Sequence, residues 1–336
     1  MSHVNPTFKG RWASALRRAL PSPTRPLALQ NTHLIGPFDN TDYVGLRTAY
    51  PPERKIDLTA TYPGKGGKDV NWRRTPGLDG YYESDNPKNL GVWIPPEKES
   101  VLYLYAEIEA GAASATGTAS ATGAADATEA ADAIKAADAI RGTQIARLSV
   151  ASPAIVVTAW VIHGEAIDNP TAVNPTLAPT IPYPANHEDN QALIRLDPGK
   201  NQLLLKLVFR GDTWELACRC ETYGNPQRLI ERVTALRDSA QDPGIRLMAH
   251  FYLAEIYAVL DDAPACQRAL KAIQQDDFAT QWDVAWAEAV QQQYTASGSF
   301  LPFYDVAMTY QPVTDITPYD TFWPQSAAPA EELWVL

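Results

Sequence analysis

Cysteine is scarce in this sequence, which holds only Cys218, Cys220 and Cys266. Cys218 and Cys220 fall on the same face of one predicted strand, too close along the chain for an unstrained bridge. No disulfide framework is implied, so the redox compartment stays open. Histidine is also sparse, with five in 336 residues. Neither His163-Gly164-Glu165 nor His187-Glu188-Asp189 has the i, i+4 helical pairing of a metalloprotease or the Cys/His spacing of a zinc site. No metal and no cofactor is expected. Long apolar runs are missing as well: none approaches the roughly 20 residues that cross a bilayer, so no membrane span is expected. Positive charge is outnumbered, 28 Lys and Arg against 39 Asp and Glu, for a formal net charge of −11. That balance argues against a nucleic-acid partner, since phosphate contacts need clustered Lys and Arg. The first thirty residues lack the apolar core of a signal peptide, being interrupted by Arg11, Arg17, Arg18 and prolines. The default expectation is a cytoplasmic location.

Catalytic signatures are absent in the same way. No G-x-S-x-G elbow and no Cys/His pair occurs. Gly64-Lys65-Gly66-Gly67-Lys68-Asp69 imitates a phosphate loop, but the earlier glycine is missing and Asp69 stands where Ser or Thr would hold magnesium. A glycine-rich hairpin turn is the expected reading. Glu53, Asp57, Asp79, Glu83 and Asp85 are close enough along the chain to be weighed as paired carboxylates of a glycosidase or lyase. Loop acids are usually solvated, and the chain is not expected to be an enzyme.

What the sequence does hold is a run of strands. Ile145–Ala151, Ala154–Ile162, Ala192–Leu196, Gln202–Phe209 and Thr213–Cys220 are apolar and separated by turn residues. The turn Asp197-Pro198-Gly199-Lys200-Asn201 joins two of them, proline presetting one angle and glycine taking a positive φ. Such runs read as neighbouring strands of an all-β domain. Upstream, His33–Gly36, Ile56–Tyr62, Val70–Arg73, Leu90–Ile94 and Val101–Glu109 are further candidates. The chain is therefore read as α+β, an all-β jelly-roll-type sandwich over residues 31–222 followed by a helical bundle. A low-complexity insertion at 110–142, rich in Ala, Thr and Gly, is placed at the tip of a hairpin. Residues 1–30 form a basic arm without an acid.

From 223 to 295 the apolar period becomes helical. Leu229, Val233 and Leu236 mark one face. Ile245, Met248, Tyr252, Ile256 and Val259 mark a second, opened by Asp242 and Pro243. Cys266, Leu270 and Ile273 mark a third, and Trp282, Trp286 and Val290 a fourth. Antiparallel helical hairpins are expected. Residues 296–336 carry no Lys or Arg and hold Phe300, Phe303, Tyr304, Tyr319, Phe322, Trp323 and Trp334. A tail so aromatic normally packs on its own body or on a partner, and these residues are the candidate partner-binding set.

Two patches carry a resemblance. One runs Leu34-Ile35-Gly36-Pro37-Phe38-Asp39-Asn40, then Tyr50-Pro51-Pro52-Glu53 and Val70-Asn71-Trp72. The other runs Val157-Thr158-Ala159-Trp160-Val161-Ile162-His163-Gly164, then Pro198-Gly199-Lys200-Asn201 and Leu203-Leu204-Leu205-Lys206-Leu207. Together they resemble the jelly-roll, carbohydrate-binding-like domains of envelope or secreted proteins in Planctomycetes-type bacteria. Ala151-Ser152-Pro153 replaces the usual acidic turn, and His163-Gly164 replaces Asn-Gly, which puts a calcium or ligand contact there in doubt. Leu253–Tyr257, Asp261–Ala265 and Ala269-Leu270 resemble one tetratricopeptide hairpin, a repeat that leaves an apolar face to be covered. The resemblance implies a cell-envelope or secreted location.

Trp72, Tyr81, Tyr82 and Trp93, with Asp79 and Asp85, are the candidate ligand set. Aromatic faces stack on sugar rings while acids and amides bond the hydroxyls; alternatively these aromatics plug the ends of the sandwich. The expected function is a non-catalytic binding or assembly module that engages protein partners or its own copies through helices and tail. The alternative is a carbohydrate-binding accessory module or subunit.

Overall fold

The computed structural model describes residues 22–80, 87–111, 142–154, 156–163, 190–279 and 281–298. The chain divides into two units, whose described residues meet in sequence at Arg228 and Leu229. The first is an antiparallel β-sandwich and the second is helical, so the chain is α+β.

Twelve strands are described. They are β1 (Arg25–Leu27), β2 (Leu29–Asp39), β3 (Thr61–Pro63), β4 (Asp69–Asn71), β5 (Arg73–Arg74), β6 (Lys88–Asn89), β7 (Ser100–Ala110), β8 (Gln144–Ala151), β9 (Val156–His163), β10 (Asn190–Leu196), β11 (Gly199–Phe209) and β12 (Glu215–Gly224). Sheet I has the order β1-β12-β8-β10, with β6 also on β12; sheet II has the order β5-β2-β7-β11-β9; β3 and β4 form a separate ribbon. Strand alternation explains the layering. Leu102, Leu104, Ala106 and Ile108 of β7 and Leu203, Leu205, Leu207 and Phe209 of β11 share one buried cluster with Ala146, Leu148 and Val150 of β8 and Leu216, Cys218 and Cys220 of β12. The two sheets therefore face each other across a single core.

From β7 onward each strand lies in the opposite sheet from the strand before it. Two expectations change accordingly. β7 and β8 do not pair as a hairpin but lie in different sheets. The turn after β10 joins strands of opposite sheets rather than paired neighbours. Asn201 makes that sharp corner. Its Oδ1 accepts from the Asp197 amide at 2.9 Å, and its Nδ2 donates to the carbonyls of Asp197 (2.9 Å) and Gly199 (3.1 Å). Gly199 takes φ +89 there. Buried, the amide side chain replaces the ladder bonds that the corner interrupts.

The Leu34–Asn40 motif is likewise structural. At Gly36 a Cβ would lie 2.6 Å from Leu102 Cδ2 and 2.8 Å from the Val101 carbonyl oxygen, at φ +138, so only glycine fits. Asn40 is buried; it donates to the Phe209 carbonyl at 3.1 Å and accepts from the Gly45 amide at 3.1 Å. Two local expectations were off. Leu90–Val92 is a 3-10 turn rather than a strand, because the Asn89 side chain accepts from the Gly91 amide at 2.8 Å and curls the chain. Residues 56–60 form a turn in which the Asp57 carboxylate accepts from the Thr59 amide at 3.1 Å and from its hydroxyl at 2.7 Å.

In the second unit four helices are described: α1 (Pro226–Ser239), which begins at the boundary, α2 (Pro243–Val259), α3 (Ala263–Gln275) and α4 (Gln281–Ser297). Asp242 caps α2 through the Gly244 amide (2.8 Å), and Asp262 caps α3 through the Ala265 amide (3.1 Å), each followed by proline near the first turn. The short link at 260–262 turns α2 back on α3 as a helical hairpin. Leu253, Ile256, Cys266, Leu270 and Ile273 are buried, and Phe251 meets Trp286 of α4 at 4.9 Å between ring centroids. Among the described residues no helix is long and apolar enough to cross a membrane.

Candidate functional site

The side of sheet II away from the core carries the polar chemistry. Odd residues of β7 and even residues of β11 point there. Tyr103 stands opposite Lys206, and Tyr105 opposite Leu204, which in turn is opposite Trp160 of β9. Lys206 is the outlier in an otherwise aliphatic run, and its side chain is only 6% exposed. A charge so placed must be paired.

Its partner is Glu53, from the helical turn Pro51–Arg54. Lys206 Nζ donates to Glu53 Oε1 at 2.9 Å and to the Thr48 carbonyl at 2.9 Å, and lies 5.9 Å from the Tyr50 ring centroid. The same Glu53 oxygen accepts the Tyr103 hydroxyl and the Tyr50 amide, the latter at 3.3 Å. Phe38 closes the cluster, stacked on Tyr50 at 4.8 Å and edge-on to Tyr103 at 5.6 Å. Burial first, and the Glu53 charge second, push the Tyr103 phenol far above its ordinary value. It stays a donor at any physiological pH. Tyr50 is raised too, by burial and then by Asp39; its hydroxyl donates to the Asp39 carbonyl.

A second group sits farther along the same face. Glu107 accepts from Tyr105 Oη (3.0 Å) and Asn31 Nδ2 (2.9 Å) and pairs with Lys200 Nζ (3.1 Å). Burial works against its ionisation, yet the bonds from Asn31, Lys200 and Tyr105 prevail and hold its carboxyl below the ordinary range. Asn31 itself adopts φ +48 in a bulge of β2, between Gln30 and His33. The bulge is pinned from the other side by Asp79. Its Oδ1 accepts the Thr32 amide (3.0 Å) and hydroxyl (2.8 Å), and Arg74 grips both carboxylate oxygens. At Asp79, burial raises the pKa, but Arg74 and Thr32 outweigh it and the net direction is down.

Of the sequence candidates, Trp72 is 6% exposed and edge-on to Tyr105 at 6.4 Å. Its Nε1 has no hydrogen-bond partner among the described residues. Trp93 packs partly against the core, with Gly77 against its ring and its carbonyl accepting from Arg73 at 2.7 Å. Trp72 is buried and Trp93 half-buried, each packed within the sandwich. Asp79 is a pinning residue. Tyr81, Tyr82 and Asp85 lie outside the described residues, as do Phe300, Phe303, Tyr304, Tyr319, Phe322, Trp323 and Trp334. Trp160 and Trp214 are buried. Sequence reading treated Glu53 as a loop acid and did not bring Lys206, Tyr103 or Glu107 to one face. The signal available was a lysine inside Leu203–Phe209.

Among the described residues no three His, Cys, Asp or Glu side chains gather as metal ligands. The thiols are sealed. Burial, then Cys218, drives the Cys220 thiol upward, and burial pushes Cys266 up to about 12. No protein-family model matches the chain, and no curated protein matches it. Among solved structures, the chain is similar to the epithelial adhesin 9 A domain (Epa9A) of Candida glabrata, a structure in complex with Galb1-3GlcNAc. The identity is 9%, with 60% of this chain and 86% of that one covered, at a TM-score of 0.25.

Proposed function

We infer that this chain is a non-catalytic binding and assembly protein, with the sandwich as its rigid frame and protein partners or further copies as its ligands. The observation that carries the reading is the state of the carboxylates. Glu53 is locked to Lys206 and Tyr103, Asp79 to Arg74 and Thr32, and Glu107 to Lys200, Asn31 and Tyr105. Asp57 caps its own turn, and hydrogen bonds from Thr59 lower its pKa. A general acid needs a raised pKa and a free proton path, and the shifts at Asp57, Asp79 and Glu107 run the other way. Such groups brace a fold. The helical hairpins, with their tetratricopeptide-like pattern, supply a second surface suited to protein contact.

The test combines a glycan array, a polysaccharide turnover assay and light-scattering mass on the full chain. A discrete oligomer or a stable protein complex, without turnover, is the expected result. Tight oligosaccharide binding by a monomer would favour the carbohydrate-module alternative. Polysaccharide cleavage abolished by Asp79→Asn would overturn the non-catalytic reading.

A further inference from the structure

The loop after β2 holds its backbone in an unusual state. Asp42 has φ +50 and Tyr43 φ +62, two successive side-chain-bearing residues in the left-handed region. L-residues avoid that region because Cβ crowds a carbonyl oxygen, and a bulky residue such as tyrosine is rare there. The loop is pinned on both sides. The buried Asn40 side chain bonds the Phe209 carbonyl and the Gly45 amide, and its own amide donates to the Glu99 carbonyl at 2.9 Å. The Asp39 carboxylate accepts from the Thr41 amide at 3.0 Å and from its hydroxyl at 2.7 Å. The Thr48 amide and hydroxyl close on the Val44 carbonyl at 3.1 and 2.8 Å. What this framework presents to solvent is Tyr43, 40% exposed, beside Val44, 44% exposed. A fold gains little core from side chains so exposed, yet it holds them in a costly conformation. Strain of this kind collects at ligand-binding positions.

We propose that Tyr43, with Val44, Asp42 and Arg210, binds a single sugar ring. Size and chemistry select this ligand. A stable protein interface covers about 800 Å² on each partner. Here two apolar side chains stand among exposed Thr41, Asp42 and Arg210, a spot the width of one pyranose. The Arg210 guanidinium carbon lies 5.9 Å from the Tyr43 ring centroid, which sets its N–H donors beside the aromatic ring. Among the described residues, neither that guanidinium nor the Asp42 carboxylate makes an ion pair or a side-chain hydrogen bond. A sugar ring offers a C–H face to Tyr43 and Val44. Its hydroxyls, each a donor and an acceptor, suit Asp42 and Arg210 together. A ligand of one charge would gain from one of these groups and be repelled by the other. The site goes beyond the assembly reading and stands or falls without it.

The experiment uses the full chain with the methyl glycosides of glucose, galactose, mannose and N-acetylglucosamine, read by saturation-transfer NMR. At least one is expected to bind with a Kd of about millimolar, the level that about a dozen heavy atoms reach at an exposed site. Tyr43→Ala and Arg210→Gln are each expected to weaken it by about tenfold or more, with unchanged circular dichroism. Tyr43→Trp is expected to keep binding, and Val92→Ala, at another exposed apolar side chain, to leave it unchanged. Tyr43→Gly checks the strain by itself. It loses the ring as Tyr43→Ala does, yet is expected to melt at a higher temperature, because glycine accepts the left-handed state. Absence of binding by all four glycosides overturns the proposal, and so does binding that survives Tyr43→Ala. A Tyr43→Gly variant that melts below Tyr43→Ala also overturns it, because the loop is then not held in the strained state. Each of these results leaves the assembly reading to the mass measurement.

Discussion

Replacing Lys206 with methionine probes the sealed cluster directly. Methionine keeps most of the side-chain volume and removes the charge, so packing changes little. What remains is Glu53, only 14% exposed at its side chain. It keeps the Tyr103 hydroxyl and the Tyr50 amide but loses its counter-ion. Removing one partner of a buried pair costs about 3–5 kcal/mol, because the survivor is an uncompensated charge. For a sandwich of this size that lowers Tm by roughly 6–20 °C. The double variant Lys206→Met with Glu53→Gln removes both charges and should regain much of the loss, giving a coupling of about 2–3 kcal/mol. Thermal and urea unfolding followed by circular dichroism report both numbers. Additive losses, with the double variant as unstable as the sum of the singles, would refute the claim that Lys206 and Glu53 act as one buried unit.

Three further outcomes follow from particular contacts. Asn201→Ala removes three hydrogen bonds at the corner between sheets and should cost about 2–3 kcal/mol in urea unfolding. Gly36→Ala places a Cβ against a backbone carbonyl at a positive φ and should cost roughly 2–4 kcal/mol, with no rescue by Leu102→Ala because the Val101 oxygen stays. Asp79 has a folded pKa below its unfolded value near 3.8. Its stabilisation is therefore complete above that unfolded value and is lost as pH falls through the lower folded one. Asp79→Asn should flatten the stability–pH curve below about pH 4 while lowering stability at neutral pH; an unchanged acid limb would count against the Arg74–Asp79–Thr32 anchor.

Particular residues show what the sequence could tell. Dense apolar runs at Val101–Glu109 and Gln202–Phe209, bounded by turn residues, announced strands, because a strand buried on both faces reads as a near-continuous apolar run. The cap at Asp242 announced a helix, because capping is local chemistry. The sheet to which each strand belongs was not legible. The Asp197–Asn201 turn looks like a hairpin turn, and only the placing of β10 and β11 in different sheets shows that it is a corner. The site was harder still. Glu53 and Lys206 are 153 residues apart, and a loop acid next to two prolines carries no mark of its distant partner. Lys206 did carry one, being a charge amid Leu203–Phe209, and a charge in such a run implies a buried counter-charge. The aromatics at 72 and 93 look alike in sequence whether they line a groove or close a core, because both settings bury much of a ring.

Sedimentation equilibrium on the full chain tests the central claim, assembly through a rigid sandwich, most directly. The account predicts a reversible species heavier than the 36.8 kDa of one chain; a single 36.8 kDa species at every concentration, with and without candidate partner proteins, would contradict it.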